Sequence, residues 1–273
     1  MPDGFQLGRA GETGYWQAGD GPPLVFIHGV GMHAGFWAPQ LAAFAQHYTV
    51  LAYDTLGHGS SALPPAQPTL GDYSRQLRDL LDARGLRRIH LVGHSMGALI
   101  ALDFALTYPD RVAALVPMNG VYCRSEAQAA AVARRAGLLA AGSGDMAWRQ
   151  AAIDRWFGQP VPASLLETAA WVGSALSAVN AVGYARAYDL FARADRAHAG
   201  RLDTLAMPAL FLTGAEDENS APAMSRQMAA EAPQGRAVIL PDQRHMMSLA
   251  APGVVNAALA DFLIEAEQTQ TFV

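Results

Sequence analysis

The chain has 273 residues, 51% hydrophobic and 16% charged, with a formal net charge of −5 from 19 basic and 24 acidic side chains. That much apolar material suits one domain with a large core, or one domain carrying an insertion. The acidic balance and the absence of a basic run argue against nucleic acid or an anionic membrane as partner, and no apolar run nears the roughly 20 residues that span a bilayer.

Met1-Pro2-Asp3-Gly4-Phe5-Gln6 has no basic segment leading into an apolar one, so no secretory signal is expected. The single cysteine, Cys123, excludes an intramolecular disulfide and suits a reducing, cytoplasmic setting. It reads as a small, half-buried apolar residue.

Leu24-Val25-Phe26-Ile27 follows Gly21-Pro22-Pro23 as a continuous apolar run, the pattern of a strand buried on both faces, and leads straight into His28-Gly29-Val30-Gly31-Met32. Tyr48–Asp54 reads as a second strand, followed by the turn-rich Leu56-Gly57-His58-Gly59-Ser60-Ser61 and a proline-bearing loop. A helix is expected over Tyr73–Ala83, a strand over Arg88–Val92, a buried helix over Ala98–Leu106 and a strand over Arg111–Met118. From Tyr122 to Arg201 the chain turns alanine-rich and helical. A capping box at Ser125 and Gln128 starts that stretch, and Gly142-Ser143-Gly144 and Gly158-Gln159-Pro160 divide it. Strands return at Ala209–Thr213 and Ala237–Leu240, and an amphipathic helix is expected over Val254–Glu265. The fold class is therefore α/β, a mainly parallel sheet flanked by helices. Residues 1–121 and 202–273 form its core, and residues 122–201 a helical cap inserted over it.

Between the strand at Arg88–Val92 and the helix that follows lies Gly93-His94-Ser95-Met96-Gly97, a serine between glycines at a strand-to-helix turn. That pattern presents a nucleophilic hydroxyl at the end of a sheet. A serine hydroxyl needs a base, and the base needs a carboxylate to hold its tautomer. Asp217 lies just after the Ala209–Thr213 strand and His245 just after Ala237–Leu240, which places both on the Ser95 edge of the sheet. Glu216 and Glu218 flank Asp217 as rival carboxylates, while Asp242 reads as a turn residue. Of the other histidines, His47 and His198 are expected on the surface, His94 faces away from Ser95, and His58 makes a structural hydrogen bond. No spacing suggests a metal site. The oxyanion needs donors, which are expected from the backbone amides of Met96, directly after the serine, and Val30, in the turn after the first apolar strand.

These motifs resemble the α/β-hydrolase family over nearly the whole chain, in His28-Gly29, Asp54…Gly57-His58-Gly59-Ser60, the Gly93–Gly97 turn, Asp217 and His245. Within it the chain is most similar to the 3-oxoadipate enol-lactonase branch, and next to the hydrolases of ring-cleavage products. The likeness there lies in Gly183-Tyr184-Ala185-Arg186-Ala187-Tyr188, in Met207-Pro208-Ala209 and in the loop of Asp217. It departs from the family where Leu56 replaces a frequent arginine. Met246 and Gly97-Ala98 stand where carbon–carbon hydrolases of the family often carry a tryptophan and a glycine pair.

A roof of helices excludes water from a charge-separated step. The insertion holds Trp148, Trp156, Trp171, Tyr184, Tyr188 and Phe191, and of these Trp148, Tyr184 and Tyr188 are the candidate substrate contacts. Arg186 could clamp a substrate carboxylate, its rival role being a surface pair with Asp189. The expectation is a serine hydrolase that needs no cofactor or metal. It would cleave a small ester-like acyl bond, in a lactone or carboxylic ester, through an acyl-enzyme. Hydrolysis of a carbon–carbon or amide bond on the same triad is the alternative, and a non-catalytic ligand receptor the reading from another class. The expected partner is a small-molecule substrate, and homo-oligomerisation stays open.

Overall fold

The apolar runs pair into one eight-stranded sheet. The computed structural model describes residues 4–142 and 146–271, with strands β1 (Gln6–Ala10), β2 (Thr13–Ala18), β3 (Pro23–Ile27), β4 (Thr49–Tyr53), β5 (Ile89–His94), β6 (Val112–Met118), β7 (Ala209–Gly214) and β8 (Gly235–Leu240). Their order is β1-β2-β4-β3-β5-β6-β7-β8; β1 with β2 and β2 with β4 run antiparallel, and all other neighbours run parallel. Every residue of β5, β6 and β7 is buried, as expected where helices cover both faces of a sheet.

Helices α1 (Ala38–Phe44), α2 (Leu70–Ala83) and α3 (Met96–Thr107) follow β3, β4 and β5 in the chain. Between β6 and β7 come four more: α4 (Glu126–Ala140), α5 (Met146–Phe157), α6 (Leu166–Ala178) and α7 (Ala181–Arg193). Then α8 (Pro222–Glu231) links β7 to β8, and α9 (Met247–Ala250) and α10 (Pro252–Thr271) end the described chain. Contacts join α3 to β3, β5 and β6, α8 to β7 and β8, and α10 to α1 and β6. The α4–α7 segment departs and returns at nearly one point. Asp195 accepts the Cys123 amide on its carbonyl and the Arg124 amide on Oδ2, both at 2.8–2.9 Å.

Several elements differ from the sequence reading, which named no counterpart of α1, α8 or α9. The β1–β2 hairpin was absent from it, because β1 is mostly exposed and offers no apolar run. Helix α2 starts at Leu70 rather than Tyr73, since Thr69 and Asp72 cap each other's backbone amides. Helix α10 runs beyond Val254–Glu265 at both ends. The capping box of Ser125 and Gln128 forms at the start of α4 as read, and the break at Gly158-Gln159-Pro160 separates α5 from α6. Met1–Asp3 and, from the other expected break, Ser143 and Gly144 lie outside the described residues. His198 is a correction: it is 1% exposed rather than on the surface, with Nε2 3.7 Å from Asp103 Oδ1. Among the described residues no single helix is long and apolar enough to cross a membrane, and no three His, Cys, Asp or Glu side chains gather as metal ligands would.

Candidate active site

β5 ends at His94 and α3 begins at Met96, so Ser95 makes the turn alone, with φ 56° and ψ −114°. That conformation is costly for a residue with a side chain and persists only where the surroundings enforce it. Here the packing does so. A Cβ at Gly93 would stand 2.1 Å from the Gly97 carbonyl oxygen, and one at Gly97 2.3 Å from that of Ile27, so only glycine lets strand and helix close around the serine.

The loops after β7 and β8 bring the partners. His245 Nδ1 lies 2.8 Å from Asp217 Oδ2, and its Nε2 lies 3.2 Å from Ser95 Oγ. A carboxylate can only accept, so Nδ1 carries the proton and Nε2 is left to receive the serine hydroxyl. All three residues are buried. Burial pushes the Asp217 carboxyl up, but the neighbouring His245 and hydrogen bonds from His245, Asn119 and the Ser220 amide outweigh it, so its pKa sits below the ordinary value. The rivals are engaged elsewhere. Glu216 and Glu218 lie 2.9 and 3.8 Å from the Arg244 guanidinium, and Asp242 takes a positive φ in the turn before His245.

Other buried rings frame this line. His94 Nε2 donates to the His245 carbonyl at 2.8 Å and so braces the histidine's backbone from behind. Trp156 of α5 stacks on His245 at 6.0 Å between ring centroids, a face that favours a cationic imidazole and sheds water. Under the turn after β3, the Gly31 amide donates to His58 Nε2 at 2.9 Å and the Thr55 amide to His28 Nε2 at 3.0 Å. Each ring nitrogen that accepts an N–H is unprotonated, so both imidazoles are neutral with the proton on Nδ1. Burial agrees, pushing both pKa values down to about 3. With Gly31 held by His58 and the Met32 amide bonded to the Gly29 carbonyl, the Val30 amide has no partner within the turn. Met96 opens α3, where an amide has no acceptor inside its helix.

Ser95 and His245 face a cavity of about 170 Å³ that Val30, Trp156, Tyr188, Phe191, Glu218 and Asn219 also line, with Arg124, Arg135 and Arg155 among the rest. Of the four expected substrate contacts only Tyr188 is there. Trp148 packs at 5.3 Å on the Tyr184 ring and at 6.5 Å on Tyr188, behind the wall. Tyr184 is pressed against the turn after β3, where a Cβ at Gly31 would meet its ring at 2.9 Å. Arg186 is a further correction: its Nη1 donates to the Pro64 carbonyl at 2.7 Å on the core, and Asp189 pairs instead with Arg193 at 3.1 Å. The arginines that do reach the cavity went unnoticed in the sequence, because nothing in an alanine-rich helix marks which face turns inward.

The chain matches the family model described as "alpha/beta hydrolase fold" over residues 22–252. It is 38% identical over 259 residues to the (E)-2-((N-methylformamido)methylene)succinate hydrolase of Acinetobacter baylyi, covering 95% of this chain and 97% of that one. Among solved structures, the enol-lactonase from Burkholderia xenovorans LB400 superposes with a TM-score of 0.84 at 26% identity, covering 95% of this chain and all (100%) of the other. A thermophilic esterase from Thermogutta terrifontis gives 0.83 at 25% identity, covering 93% of each chain.

Proposed function

Because the chain belongs to the α/β-hydrolase fold family and is a hydrolase, we propose that Ser95, His245 and Asp217 are its catalytic triad, acting on a carbonyl–heteroatom bond of a small substrate. The observation that carries this reading is the continuous hydrogen-bonded line from Asp217 Oδ2 through His245 to Ser95 Oγ, at 2.8 and 3.2 Å. In the proposed reaction Ser95 Oγ attacks the carbonyl carbon while its proton passes to His245 Nε2, and the oxyanion is held by the amides of Val30 and Met96. Collapse of the adduct breaks the carbonyl–heteroatom bond, and the leaving group takes the proton from His245. Water, activated by the same histidine, then hydrolyses the acyl-enzyme. Residues 122–201 serve as a roof that excludes bulk water, with Trp156 seated over His245.

Two bond types have separate support. The A. baylyi relative is named for a substrate with a formamido group, which favours an amide. The enol-lactonase and esterase structures favour the lactone or carboxylic ester expected from the sequence. At about 170 Å³ the cavity is below the range of about 300–1,000 Å³ usual for drug-sized ligands, which supports a small substrate for either bond. A fluorophosphonate should add once per chain, at Ser95, and Ser95→Ala should abolish both labelling and turnover. Folded protein that refuses the label would remove the nucleophile. Rates on p-nitrophenyl acetate, a γ-lactone and an N-acyl enamine, compared at equal enzyme, decide the bond.

A further inference from the structure

The cavity over Ser95 is built with more positive charge than the protein neutralises. Arg124, Arg135 and Arg155 all line it. Arg124, 3% exposed, is held by Nη1 on the carbonyls of Phe191 and Ala192 and lies 3.5 Å from Asp195 Oδ1; its guanidinium sits 4.5 Å above the Phe191 ring centroid. Its Nη2 is buried and has no partner among the described residues. Arg135 donates from Nε to the Tyr188 hydroxyl at 3.0 Å and forms no ion pair among the described residues. Arg155 also lacks an ion pair among the described residues, and its buried Nε has no hydrogen-bond partner among them. The remaining charged groups at the cavity do not balance the account. Glu218 stands 72% exposed at the rim, 3.8 Å from Arg244, and His245 is engaged with Asp217.

Buried guanidinium groups without acceptors are expensive unless something brings the acceptors. Burial lowers the pKa values of Arg124 and Arg155, and the nearby charge of Arg135 lowers both further. Asp195 answers one of the three cations, which leaves two. We propose that this arginine cluster is the recognition site for a dianionic substrate, a small acid with two carboxylates whose scissile carbonyl is thereby placed at Ser95. The proposal rests on the hydrolase reading of the same cavity and adds to it the class of molecule admitted. A planar guanidinium meets a carboxylate with two parallel hydrogen bonds, so the cluster fixes orientation as well as charge. The clamp at Phe191, Ala192 and Asp195 holds Arg124 in place beforehand, so that little further ordering is needed on binding.

The test is binding, read without turnover. Calorimetric titration of the full chain with succinate and with butyrate, at matched ionic strength, compares two carboxylates with one on similar carbon chains. Succinate should bind at least tenfold more tightly. Arg135→Gln and Arg155→Gln should each lose about tenfold of that affinity, as expected for a charge-assisted pair, and Arg78→Gln on the exposed surface should lose none. Arg124 is left intact because its ties to Asp195 also hold the α4–α7 segment. Equal binding of the two acids, or succinate binding that survives the double substitution of Arg135 and Arg155, overturns the proposal. Fluorophosphonate labelling runs in parallel. Labelling without dianion selectivity sinks the anion site alone, whereas dianion selectivity without labelling sinks the nucleophile and leaves the anion site standing.

Discussion

Asn119 donates from Nδ2 to Oδ2 of Asp217 at 2.8 Å, the same oxygen that accepts from His245. Asn119 follows the end of β6 with φ 48°, so a fourth strand end, beside those of β5, β7 and β8, contributes to the line. The carboxylate is thereby fixed in rotation and its charge is kept. Asn119→Leu, close in volume, removes one donor to a charged group, an interaction worth about 1.5–3 kcal/mol. A fall of about tenfold or more in kcat with KM nearly unchanged is expected, because the lost interaction matters most when His245 is cationic. An equal rise in KM would show instead that the substitution merely disturbs the cavity.

Asp217→Asn should be far more damaging than any change to its acidic neighbours. The amide can present a donor to His245 Nδ1 and favour the wrong tautomer, and in the serine proteases that replacement costs about 10⁴-fold. Glu216→Gln removes only an exposed partner of Arg244 and should alter kcat less than about twofold. Steady-state rates of the two variants on one ester settle whether the acid is correctly placed.

His58 acts at one remove. Its Nε2 holds the Gly31 amide, next to the Val30 amide assigned to the oxyanion. Deleting an oxyanion donor outright costs about 10²–10³ in kcat, so His58→Phe, which only frees the turn, should cost about 10–100-fold. The loss should fall on kcat. A variant with wild-type kcat would show that the turn keeps its shape without the histidine.

Acid should unfold this protein readily. Burial pushes His28, His58 and His94 down to about 3 in the native state, against an ordinary value of 6.5. Between those values the unfolded chain binds three protons that the folded chain refuses, so stability is complete above pH 6.5 and is lost as pH falls below it. Each proton gives a slope of about 1.4 kcal/mol per pH unit, hence about 4 kcal/mol per unit for the three once all are protonated in the unfolded chain. Asp217 adds to the loss further down, its folded pKa lying below the ordinary value. Urea midpoints at pH 7.5, 6.0 and 5.0 should fall in that order, and a flat profile would contradict the buried neutral imidazoles.

The core, and the residues that meet at its edge, were readable because they rest on local patterns. Unbroken apolar runs mark strands covered on both faces, and Ser95, Asp217 and His245 each stand just beyond one of them. The elbow glycines are legible for a steric reason that sequence carries directly. The roof is another matter. Arg155 and Arg186 look alike in a list of residues, yet one reaches the cavity and the other reaches the Pro64 carbonyl. The difference is set by how α5 and α7 rotate against their neighbours, a tertiary fact with no local signature. His198 misled for the same reason, its burial depending on packing against α3 through Asp103. The β1–β2 hairpin escaped because an exposed strand at a sheet edge lacks the apolar run that marks a buried one.

The clasp at Asp195 has a consequence for descent and for engineering. Because Cys123 and Arg124 are tied to Asp195, the strands β6 and β7 meet the inserted segment as a loop of fixed width, whatever lies between its ends. Closing a longer loop costs only slowly more entropy, so helices there can be lengthened, exchanged or resurfaced at small cost to the sheet. A change in that segment would alter the cavity lining that Arg135, Arg155 and Trp156 supply, while leaving in place the strand ends that hold Ser95, Asp217 and His245.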